Sequence, residues 1–130
     1  MAYEIPVLVM SFKANGDLSE KQFYFVELDS SGDVGACNSA TDKPCGVLLN
    51  KPDASGKTAE VGVLGVFKVS SDAALSIGDL IGTSADGQAD AKTPGTDTTE
   101  YVVGRVLEAT TAAAGLATCM INCLNPHRAA

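Results

Sequence analysis

Apolar residues along this chain fall into strand-length runs, each closed by Gly, Asp, Asn or Ser, the punctuation of a small all-β protein. Residues 3–12 place Ile5, Val7 and Val9 on one face and Pro6, Leu8 and Met10 on the other. Apolar character on both faces reads as a buried strand, which Pro6 confines to an edge or to the strand's beginning. Gln22 to Asp29 (QFYFVELD) is a second strand, again largely apolar on both faces and so expected to be covered on both. A short return over 34–37 and a strand over 46–49 follow. Thr58 to Val69 is the longest β-like segment; Gly62 and Gly65 inside it mark a bulge, a bend or a close backbone approach.

Ser70 to Ser76 has the composition of a single helical turn capped by Ser71 or Asp72. Leu80 to Thr83 leads into Asp86-Gly87, a hairpin pair feeding Gln88 to Lys92. Tyr101 to Ala109 and Leu116 to Leu124 form the expected final hairpin, joined by TTAAAG. Residues 38–45, 50–57 and 93–99 are loops, the last expected to be exposed and mobile, and 125–130 are expected as a frayed tail. The fold class is therefore mainly β, a small β-barrel or β-sandwich with at most one short helix.

Composition sharpens this picture. A chain of 130 residues is the size of one domain, expected over 1–130 with residues 1–12 as a possible N-terminal arm. It can bury about two-thirds of its unfolded surface without metals or disulfides. Aromatics are 5% and Trp is absent, so Val, Leu, Ile and Ala must fill the core. Nine Lys+Arg against sixteen Asp+Glu give a net charge of -7, with no basic run to neutralise phosphates, so no nucleic-acid partner is expected. The opening MAYEIPVLVMSF lacks a basic n-region, and its apolar stretch is short of the roughly 18 residues a membrane span needs. No membrane partner is expected, and synthesis in a cytoplasm would leave the thiols reduced.

Candidate chemistry is sparse. Cys37 and Cys45, and Cys119 and Cys123, invite a zinc reading by spacing alone. On a strand, however, Cys119 and Cys123 point to one face about 13 Å apart, too far to share an ion. Buried thiols are the favoured reading, with a Cys37–Cys45 disulfide as the special alternative. His127, the single histidine, has no third group to orient it as a base. The turn aspartates lack a calcium-loop ladder, and the glycines form no phosphate loop. No catalytic, cofactor or metal residues are assigned, and an enzyme is not expected.

Several pieces in order carry a family resemblance: Gly65-Val66-Phe67-Lys68-Val69, Ala73-Ala74, Ile77-Gly78-Asp79, Asp86-Gly87, Val103 to Ala109, and Ala112-Ala113-Ala114-Gly115 before a closing strand. Over residues 44 to 124 the chain resembles the decoration, or cement, proteins of tailed-phage capsids. Its first 40 residues depart from the shorter Gly-rich start common there. The resemblance implies a non-enzymatic virion protein on the capsid exterior, made in the host cytoplasm, that binds the expanded head and bridges major capsid protein subunits. It also implies a homo-oligomer, a trimer first and a dimer as the alternative. The expected capsid-binding residues are Ala2, Tyr3, Glu4, Ile5, Pro6 and Val7, adding a strand to a capsid sheet edge; loops 38–45 and 93–99 come second. A tail, baseplate or host-surface binding module is the rival reading.

Overall fold

Eleven strands and no helix make up the described residues, 2–130, of the computed structural model. In chain order they are β1 (Ile5–Lys13), β2 (Phe25–Leu28), β3 (Val34–Ala36), β4 (Gly46–Leu48), β5 (Thr58–Ser70), β6 (Leu80–Thr83), β7 (Ala89–Ala91), β8 (Tyr101–Val102), β9 (Gly104–Glu108), β10 (Leu116–Asn122) and β11 (His127–Arg128). Nine of them form one sheet in the order β3-β2-β4-β5-β10-β9-β6-β7, with β1 added on β5. The sheet curls into a half-barrel, and β8 and β11 pair separately.

The long strand β5 is the axis of this arrangement. Val61, Val63, Phe67 and Val69 are buried, which is the core-facing alternation of a strand covered on one side. One edge of β5 is shared end to end: β4 pairs with Val61 and Gly62, and β10 pairs from Leu64 to Ser70. The other edge carries β1, whose partners run from Thr58 to Val66. Val47, Leu48, Phe25, Val26, Ile81, Val106, Cys119 and Ile121 join the β5 residues in a continuous core. The half-barrel is closed by the turn after β6, where the Phe25 amide donates to the Gly87 carbonyl at 2.7 Å. Gly87 has φ +85, and a Cβ there would lie 3.0 Å from the Cys37 carbonyl oxygen, so the Asp86-Gly87 turn must tuck in as glycine.

Four expectations are corrected. Residues 3–12 are not a buried core strand: β1 pairs on one side only, and Ile5, Pro6, Val7, Val9 and Met10 are exposed because nothing packs over them. Residues 70–76 form no helical turn. The Ser71 amide donates to the Gly115 carbonyl and the Leu75 amide to that of Thr110, so neighbouring backbone takes the hydrogen bonds a helix would make within itself. The second strand is shorter than 22–29, since Phe23 adopts φ 69 and breaks the extended backbone before Phe25. The tail does not fray: His127 and Arg128 pair with Val102 and Tyr101, and buried Ala129 donates its amide to the Glu100 carbonyl.

Candidate functional site

Sheet register assembles a surface that no contiguous stretch of sequence contains. Ile5 lies opposite Val66, Val66 opposite Met120, Met120 opposite Arg105, and Arg105 opposite Leu80. This row crosses β1, β5, β10, β9 and β6 on the face away from the cysteines. The alternation of β10 shows the division, with Cys119 and Ile121 buried and Met120 exposed. Beside the row runs a mainly apolar groove of about 550 Å³, lined by Val7, Leu64, Val66, Leu80, Met120 and Arg105 and bordered by Asn122, Asn125 and His127.

A bulge gives the groove its rim. Pro6 pairs with Gly65 and Leu8 with Leu64, so Val7 is left without a ladder partner. An extra residue in one strand re-aims its side chain, and Val7 is 72% exposed beside the groove. Gly65 makes the bulge possible: its φ is +134, and a Cβ would sit 2.6 Å from the Ile5 carbonyl oxygen and 2.7 Å from the Val7 nitrogen. A side chain there would push β1 off the sheet. Ahead of β1, the Tyr3 amide donates to Thr118 Oγ1 at 3.1 Å, and that hydroxyl donates to Glu108 Oε1 at 2.9 Å. The start of the chain is therefore held across its own sheet.

Of the sequence-predicted residues, Tyr3, Glu4, Ile5, Pro6 and Val7 are exposed and Ala2 is half-buried; Val7 lines the groove, and Ile5 lies opposite the lining residue Val66. Loops 38–45 and 93–99 lie elsewhere. The first is fastened by Asp42, whose Oδ2 accepts from the Asn38 and Ser39 amides at 2.9 and 3.0 Å. In the second, the Gly95 amide donates to the Ala129 carbonyl at 2.8 Å. Sequence reading did not pick out Val66, Leu80, Arg105 and Met120, since only pairing between distant strands joins them. The one local signal was Met120, an exposed apolar residue on the outer face of β10.

All four cysteines are free thiols, with Cys37, Cys119 and Cys123 buried and Cys45 half-buried. Burial pushes Cys45 up to about 11 and Cys119 up to about 12, and raises Cys37 and Cys123 further still. Such thiols carry little thiolate at neutral pH. Cys37 shares a corner with Glu27 and Asp42, their donor atoms within 4.8 Å of one another. Burial, followed by the hydrogen bond and negative charge of Asp42, raises the Glu27 carboxyl to about 7. The corner brings the Glu27 carboxyl of β2 beside the Asp42 carboxyl of loop 38–45.

With the geometry in place, comparison with known proteins adds identity. The phage cement protein family is matched over residues 4–121. This chain belongs to the phage cement protein family. Membership makes the cement protein a structural component of the phage virion with a capsid-stabilising role. No curated protein matches it. Among solved structures it is similar to the head fiber gp8.5 N base of bacteriophage phi29, with a TM-score of 0.61 at 19% identity. The match covers 89% of the cement protein and 96% of that chain, and at this identity it speaks to the fold.

Proposed function

We propose that the cement protein binds the outer surface of the expanded head and bridges neighbouring major capsid subunits, with β1 as the attachment strand. The observation that carries this reading is the character of β1. It pairs with β5 along one edge, and the pairing among the described residues leaves its other edge open. Its segment IPVLVMSF has no charged residue before Lys13. An exposed apolar strand edge is a template for pairing with another chain, and proteins ordinarily blunt such edges with charge or proline. Between Ile5 and Phe12 Pro6 alone does so, removing one donor from the edge, with Glu4 and Lys13 at either end of the strand.

Strand addition supplies main-chain hydrogen bonds for affinity and alternate side chains for specificity. Tyr3, Ile5, Val7, Val9 and Met10 are the large side chains available for burial. Copies repeated over a lattice, as trimers or dimers on local symmetry axes, would gain avidity from weak individual contacts and stabilise the assembled state by mass action. Co-sedimentation with expanded heads lacking the protein, with unexpanded procapsids as the control, tests the proposal. Saturable binding to expanded heads at a fixed ratio to major capsid protein is expected. Binding to neither particle would refute it and favour a tail or host-surface role.

A further inference from the structure

The groove beside β1 has one charged group in its apolar wall. Arg105 stands between Met120 and Leu80 in the cross-strand row, and its side chain is exposed. Among the described residues no carboxylate lies within ion-pair distance of it, although the chain has sixteen Asp+Glu. Most other cations are occupied. Lys57 and Lys92 sit on carboxylates, and Lys21, Lys43, Lys68 and Arg128 lie over aromatic rings. Lys13 and Lys51 are exposed outside the groove.

A guanidinium presents five donors in a planar fork that matches a carboxylate. Covered by a purely apolar partner, it would lose hydration with nothing in return, which strongly disfavours an unpaired charge. An occupant that covers Arg105 must bring acceptors to it, and a carboxylate matches the guanidinium fork and its charge best. On a protein of net charge -7, such an anion is tolerated only beside a local cation. The bulge at Val7 and the open edge of β1 lie along the same groove, which suits an extended chain.

We propose that the groove receives an extended apolar segment of the major capsid protein carrying one Asp or Glu, whose carboxylate pairs with Arg105. This rests on the head-binding reading and names the chemistry of the partner. The contact would be an Arg–carboxylate pair in apolar surroundings, the kind of anchor that dominates binding energy at interfaces.

The test measures binding of labelled protein to expanded heads lacking it. Arg105→Glu is expected to weaken binding at least tenfold, and Arg105→Lys, which keeps the charge without the fork, by less. Ile77→Ser, a large exposed apolar residue outside the groove, is expected to bind like the unsubstituted protein. Thermal denaturation of each variant separates lost binding from lost folding. A benzophenone side chain in place of Met120 is expected to cross-link to a capsid segment containing Asp or Glu. Wild-type binding with unimpaired Arg105→Glu overturns the inference alone, as does a cross-link to a second copy of this chain or to a segment without a carboxylate. Absence of wild-type binding overturns the head-binding reading and the inference together.

Discussion

Gly62 and Phe67 provide the sharpest test of how β5 is packed. A Cβ on Gly62 would lie 2.6 Å from Cε1 and Cζ of the Phe67 ring and 2.8 Å from Cδ1. Carbon pairs normally rest at about 3.5–4.0 Å, so the overlap is near 1 Å. The ring is fully buried and has no room to swing aside. Gly62 has no left-handed φ, so alanine meets no backbone strain and the clash stands alone. Overpacking of this kind costs about 1–3 kcal/mol, offset by up to ~1 kcal/mol from replacing glycine within a strand. Gly62→Ala should therefore destabilise by about 0–3 kcal/mol, and Phe67→Ala, a cavity in the core, by about 3–5 kcal/mol. In the double variant the new methyl enters space the ring has left, so the two losses should sum to at least ~1 kcal/mol less than additivity. Urea unfolding measures all three, and an unchanged m-value licenses the comparison. With total stability expected at about 6–20 kcal/mol for this length, each variant should still fold. Additivity within ~0.5 kcal/mol would refute the packing argument.

Other expectations are as direct. The Glu27 carboxyl is raised from 4.5 to about 7 on folding, so the folded state holds its proton where the unfolded state has released it; stability falls as pH rises from about 4.5 to 7. Glu27→Gln should flatten that part of the pH–stability curve, and an unchanged slope in the variant would contradict the assignment. Lys92, whose side chain is fully buried, pairs with Glu100 and lies 3.4 Å from Asp90. Lys92→Met should cost about 2–4 kcal/mol by stranding Glu100, and Lys92→Met with Glu100→Gln should recover much of it, both read by urea denaturation. Iodoacetamide should label the four cysteines slowly in the native protein and readily once it is unfolded; rapid native labelling of Cys119 or Cys123 would argue against their burial.

Much of the architecture is written in local pattern. Period-two alternation puts Cys119, Ile121 and Cys123 on one face, and the structure buries all three. Asp86-Gly87 makes its turn because glycine alone accepts φ +85 in that crowded space. Gly65 was legible as a bend or close approach, and it is where β1 bulges. Alternation and the turn-forming residue types are local signals; which backbone crowds Gly65 (Ile5 and Val7) and Gly87 (Cys37) is set by the folded sheet. What lies over a strand is set there too. Residues 3–12 have an apolar pattern on both faces that is the same whether the strand is sandwiched or bare, and only the placement of β1 on the outside of β5 leaves it bare. Residues 70–76 have a helical composition but find backbone partners at Gly115 and Thr110, some forty positions away in sequence, before a helix can supply its own. The row Ile5, Val66, Met120, Arg105, Leu80 spans most of the chain and exists only through strand register. Whether Arg105 is a paired surface charge or the lone cation in an apolar groove likewise depends on which strands flank β9. Alternation along one strand is a local property; the identity of its neighbour is a property of the folded sheet.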